Sequence, residues 1–109
     1  MIDLNKPLFV PLRTEYFDKF EQGLKTTEYR LLGARWNANT CPPGRSVVLS
    51  HGYGIKRRLH TVILRFEVCS GRQVPECDQA DILSVFGRLD VDIACIHIDP
   101  LVLKVIARG

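Results

Sequence analysis

The sequence predicts an α+β fold: a small mixed β-barrel of five or six strands, closed or nearly closed, with two peripheral helices. Three observations lead there. Strand-like stretches outnumber helix-like ones and do not alternate with them, which excludes a doubly wound parallel sheet. The chain has 109 residues, room for one domain over 1–109 and no second. Its composition is 46% hydrophobic and 25% charged with net charge +3, which excludes a disordered chain and leaves enough apolar side chains for one core. Short strands that must hide their edges close most economically into a barrel.

The elements follow in order. Residues 7–12 are an extended segment with Pro7 and Pro11 near its ends, as strand edges allow. Thr14 is the expected N-cap of a helix over 15–22, on which Phe17, Phe20 and Leu24 recur at helical spacing. Gly23 fits the left-handed position beyond its end. From 26 to 31 the period is two: Thr27, Tyr29 and Leu31 share one face, and Thr26, Glu28 and Arg30 the other. Residues 33–45 hold Gly33, Pro42–Pro43 and Gly44 and read as a loop. Residues 46–50 are a buried strand, and HGYG at 51–54 a turn. Residues 59–68 are a strand with Val62, Leu64, Phe66 and Val68 on one face. A second helix is expected over 78–86, with Asp78 as N-cap, Gly87 after its end and Ala80, Leu83 and Phe86 on its apolar side. A strand over 93–98 follows, and 101–106 can add another.

No apolar run approaches the ~20 residues of a membrane-crossing helix. The start, MIDLNKPLFVPLR, has no signal-peptide pattern, so a cytoplasmic location is expected. Cys41, Cys69, Cys77 and Cys95 lack zinc-knuckle spacing and are expected as free thiols in a reducing compartment. His51, His60 and His97 have no metal-ligand spacing, and neither metal nor other cofactor is expected. Ser50 at the glycine turn reads as a turn-former.

Charge is uneven. Residues 1–72 carry 12 basic and 6 acidic side chains; residues 73–109 carry 3 and 6. Ten of the 15 basic residues are arginine, whose planar fork suits phosphate, carboxylate and base edges. This favours an anionic partner such as nucleic acid. The acidic C-terminal third offers a surface for a protein partner.

The informative segment is Gly23-Leu24-Lys25-Thr26-Thr27-Glu28-Tyr29-Arg30. Glu28 and Arg30 share a strand face and Lys25 leans over it, so the three should line a cleft at the barrel's rim. Around them, Arg35 and Trp36 in one loop, and Tyr53 with Lys56, Arg57 and Arg58 after the next strand, are candidate stacking and phosphate contacts. Glu67 is the best candidate for a second carboxylate.

The spacing G-x-K-x-x-E-x-R after a short helix resembles the signature of ASCH domains, relatives of the PUA RNA-binding barrel. Gly23, Lys25, Glu28 and Arg30 match it. RWN at 35–37, Thr40-Cys41, Gly44-Arg45 and VLSHGYG at 48–54 resemble small single-domain members from bacteria and their phages. The resemblance spans about residues 7–68. It implies a PUA-like barrel of five or six strands, the motif facing a cleft, and RNA or a nucleotide-like ligand. Some members are hydrolases, of acetylated cytidine or of RNA with metal assistance. The cytidine branch places a threonine three residues after the lysine, where this chain has Glu28, and Thr26 and Thr27 sit at other offsets. If the chain is an enzyme, Lys25 and Glu28 are the catalytic pair. A carboxylate clasped by an arginine is a weak general base, which favours binding.

Overall fold

Alternation of apolar and half-exposed positions makes Leu8–Leu12 the first strand, β1, with Leu8, Val10 and Leu12 turned inward. The computed structural model describes residues 2–100, so the strand expected over 101–106 lies outside the described residues. After β1 come helix α1 (Thr14–Glu21), β2 (Thr27–Leu31), β3 (Ser46–His51), β4 (Arg58–Ser70), a single 3₁₀ turn (Gly71–Gln73), helix α2 (Glu76–Phe86) and β5 (Asp92–Ile98). The five strands form one mixed sheet in the order β1-β3-β4-β5-β2, with only the β1–β3 pair parallel. The sheet curls into a half-barrel, as the sequence predicts in class and strand number. Among the described residues its two edge strands are β1 and β2.

The curl has a local cause in β4. Its first half pairs with β3 and its second half with β5, and the register shifts between Ile63 and Arg65, leaving Leu64 as an extra residue. A bulge of this kind bends a strand and reverses the parity of its faces. The expected inner face of Val62, Leu64, Phe66 and Val68 is therefore corrected. Before the bulge the inward residues are Leu59, Thr61 and Ile63; after it Phe66 packs inward, while Leu64 and Val68 are exposed.

Two apolar clusters hold the fold. Inside the curl, Phe17 and Phe20 of α1 pack on Val10, Leu49, Ile63, Ile96 and Ile98. On the outer face, Ile82 of α2 packs on Ile93 and Cys95, with Val74 alongside. β5 serves both, its even residues facing one cluster and its odd residues the other. This is why its apolar run is continuous rather than alternating.

Three helix details differ from expectation. Arg13, in extended conformation, occupies the N-cap position of α1 without a side-chain cap; the Thr14 hydroxyl instead meets His51 Nε2 at 2.7 Å. Leu24 lies beyond the helix and is exposed, because a Schellman turn ends α1: Gly23 has φ 77°, its N–H donates to Phe20 O, and Leu24 N–H donates to Lys19 O. α2 begins two residues before Asp78, after Pro75, and its inner positions are Ile82 and Phe86, four apart; Ala80 and Leu83 face outward. Gly87 adopts the left-handed conformation expected of it.

Candidate functional site

The open seam of the half-barrel, between edge strands β1 and β2, is where the motif lies. The Schellman turn delivers Lys25 directly above the start of β2. Glu28 and Arg30 then project from one face of β2, opposite Ile96 and Ala94 of β5. Arg30 spans the seam: its Nε donates to Glu28 Oε2 at 2.9 Å, its Nη2 forms an ion pair with the same oxygen at 2.8 Å, and Nη2 donates to the Pro11 carbonyl of β1 at 2.8 Å. Lys25 Nζ stands 3.8 Å from Glu28 Oε1. Both carboxylate oxygens thus face a cation. The side chains of Glu28, Lys25 and Arg30 are 9%, 11% and 22% exposed. The three line a cleft of about 180 Å³.

The cleft's walls are largely apolar. Leu12 and Tyr16 stand on one side, and Ile82, Val85 and Phe86 of α2 on the other. Arg13 and Asp81 are also part of its lining. The Lys25 ammonium is enclosed by aromatic rings, 4.8 Å from Tyr29, 5.4 Å from Phe20 and 5.8 Å from Tyr16. Burial holds the Lys25 pKa below its usual value, and the Glu28 carboxylate only partly opposes this. Tyr29 is fixed from the far side by α2: its hydroxyl donates to Asp78 Oδ2 at 2.5 Å. Burial, then that bond, raise the phenol's pKa well above its usual value. Asp78 is therefore the anchor of a cleft wall rather than a helix cap.

A second, shallower depression adjoins the cleft. The two share Pro11, Leu12, Arg13 and Arg30, and the second adds His51, Gly52 and Tyr53. Gly52 N–H donates to Leu12 O, docking the HGYG turn on the end of β1. Gly52 has φ 64°, a conformation glycine adopts without strain. Tyr53 is 81% exposed, its ring 6.0 Å from that of Phe9. Ser50 Oγ donates to the Gly54 carbonyl and so works as a turn-former.

Of the other candidates, Trp36 is half-buried against the inner cluster, with the Arg30 and Arg35 guanidiniums 4.7 and 5.1 Å from its ring. Trp36 thus reaches the motif through Arg30 without lining the cleft. The run Lys56–Arg58 does not line it either. Arg57 bonds Asp18 and Glu21 of α1 and stacks on Phe17. Arg58 donates to Gly54 O and lies over Phe9, and Lys56 is exposed. Glu67 is corrected as a partner carboxylate: it sits on the outer sheet face, 3.4 Å from Arg65 and 3.7 Å from His97.

Residue patterns do not single out Arg13, Tyr16, Ile82, Val85 and Phe86 as cleft residues. The available signal is Arg13 directly after β1, and Tyr16 four residues before Phe20. The α2 contributions come from long-range packing and carry no local mark. Among the described residues no cluster of three or more His, Cys, Asp or Glu could hold a metal ion, and no helix is long and apolar enough to cross a membrane. Comparison of the chain with protein-family models, with curated proteins and with solved structures gives no match.

Proposed function

We propose that this chain binds single-stranded RNA, with one base inserted in the seam cleft. One observation carries the reading: Lys25, Glu28 and Arg30 converge at an apolar-walled cleft that continues, past Arg13, into the depression bearing Tyr53. A cavity of about 150 Å³ takes one benzene ring, so a cleft of about 180 Å³ suits one ring system rather than a peptide. Such a ring lies between Tyr16 or Leu12 and the α2 side chains. The carboxylate accepts from an exocyclic amino group, and the lysine and arginine donate to ring acceptors. Arg13 meets the phosphate, and Tyr53 offers its face to the neighbouring base. Phosphate contacts place the strand and edge contacts read it. The likeness of the Gly23–Arg30 motif to ASCH domains points the same way.

Titration of a short single-stranded RNA at two salt concentrations tests this. Binding at low salt that weakens steeply with salt is expected. The Tyr53→Ala variant should weaken the oligonucleotide by about 1–3 kcal/mol and leave a mononucleotide unaffected. No binding at low salt, or binding indifferent to salt, defeats the reading.

A second reading, a small hydrolase of RNA or of a modified nucleoside, is favoured by the lowered pKa of Lys25 beside Glu28, which brings a proton donor nearer to working pH. RNA and acylated cytidine, each with and without a divalent metal, distinguish the two. Turnover abolished by Lys25→Ala assigns an enzyme; turnover unchanged in that variant belongs to a contaminant.

A further inference from the structure

Of the four cysteines, Cys41 is buried in the inner core and Cys77 is exposed on α2. Cys69 of β4 and Cys95 of β5 lie together under α2, with their sulfurs 3.1 Å apart. A disulfide bond is ~2.05 Å long, so closure needs about 1 Å of sulfur movement. The two backbones lie on adjacent strands without being directly opposed, so the side chains lean toward each other to bring the sulfurs this close. Cys69 pairs with Ile93 and Glu67 with Cys95, which makes the two cysteines a diagonal pair on one face of adjacent antiparallel strands. We propose that Cys69 and Cys95 are a reversible modification site, closed by a small disulfide oxidant into an intramolecular bond that ties β4 to β5.

The partners are unequal, which sets the order of events. Cys95 is 2% exposed, whereas Cys69 is half-buried and reachable. The Cys69 thiolate attacks one sulfur of oxidised glutathione and expels a glutathione thiolate. The Cys95 thiolate then attacks the Cys69 sulfur, breaking the mixed disulfide and releasing the second glutathione. The two thiol protons end on the two expelled glutathione thiolates, and two electrons pass from the protein thiols to the oxidant. Reduced glutathione reverses both steps. Burial, and then the neighbouring Cys69 thiol, push Cys95 up to about 12, so the second step is the slower one and quickens with pH. The bond would form one strand from the cleft, since Tyr29 of β2 pairs directly with Cys95. It stands whether or not the cleft takes RNA.

The test uses the full chain carrying Cys77→Ser, which removes the exposed thiol, equilibrated under native conditions in a series of oxidised-to-reduced glutathione buffers. Alkylation, intact mass and non-reducing peptide mapping follow. The expected product has lost two hydrogens, has two of three thiols protected, joins the Cys69 and Cys95 peptides, and reverts with reductant. Adding Cys69→Ser should abolish it. A glutathione adduct on Cys69 that persists at pH 9 overturns the proposal. So do thiols that stay free in the most oxidising buffer, or a bond that forms only once denaturant is added.

Discussion

Two strands carry the same pair of charges at the same spacing and put them to different ends. On β2, Glu28 and Arg30 are two residues apart and 2.8 Å from contact to contact, with Lys25 as third member. On β4, Arg65 and Glu67 are two residues apart at 3.4 Å, with His97 as third member. The β2 pair is 9% and 22% exposed; the β4 pair is 47% and 65% exposed. The surroundings differ because β2 is an edge strand facing the seam, with α2 and the end of α1 closing over it. β4 is interior to the sheet, and α2 leaves its Arg65–Glu67 end uncovered. Spacing on a strand therefore predicts that charges meet. Only the topology decides whether they meet in water or in a cleft.

The largest expected difference is in stability. Glu28→Ala leaves Lys25 and Arg30 partly buried without their shared carboxylate, and should cost about 3–5 kcal/mol. The loss is read as a lowered midpoint in urea at unchanged slope. A loss under 1 kcal/mol would show the cleft to be as wet as the outer face and break the contrast.

Lys25→Met sharpens it from the functional side. The lowered pKa means that the fold disfavours the ammonium relative to the unfolded chain, so removing the charge should leave Tm unchanged or raised near neutral pH. The Glu28–Arg30 pair remains. RNA affinity should fall by about 1.5–3 kcal/mol, the worth of a charged hydrogen bond. In the wild type, affinity should fall as pH rises through the lowered Lys25 pKa, below the usual 10.5, and Lys25→Arg should move that fall upward. A variant that loses Tm and keeps affinity would make Lys25 a structural residue.

A third effect sets the covered end of the outer face apart from its open end. Tyr29 and Cys95, beneath α2, both have pKa values raised by burial. Both keep their protons in the fold after the unfolded chain has lost them. The Cys95 contribution is complete below about pH 9, where the unfolded thiol is still protonated, and is lost as pH rises toward about 12; that of Tyr29 begins to be lost above about pH 10, where the unfolded phenol ionises. Thermal melts from pH 8 to 11 should show Tm falling. A flat profile would place both groups in water.

Much of this was legible beforehand, for identifiable reasons. Strand parity put Glu28 and Arg30 on one face, and Gly23 and Gly87 marked helix ends, because these are local properties of the backbone. The bulge at Leu64 was not legible: it carries no glycine or proline, and it arises where β4 changes partners. On α2 the sequence pattern finds Phe86 but takes Ala80 and Leu83 in place of Ile82, because Leu83 is nearly as apolar as Ile82 and tertiary packing chooses between them. Arg57 looked like part of a phosphate-binding run because its partners, Asp18 and Glu21, lie 39 and 36 residues away. The cleft walls from α2 share that long-range origin.

The smallest expected effect is the control for all of these. Arg65 and Glu67 form an ion pair at 3.4 Å, yet both side chains are exposed, so the Coulomb gain is screened and side-chain ordering offsets most of it. His97 is engaged elsewhere as well: its ring meets Thr27 Oγ1 through Nδ1 at 2.9 Å and lies 3.3 Å from Arg65 through Nε2. A double-mutant cycle with Arg65→Ala and Glu67→Ala should give a coupling of about 0.2–1 kcal/mol. That coupling should shrink at 1 M salt, where the screening length is about 3 Å. RNA affinity should be the same in Glu67→Gln as in the wild type at matched salt. A coupling above about 2 kcal/mol, or a lost affinity, would mean that the outer face is covered by something that binds there, and that exposure does not separate the two clusters.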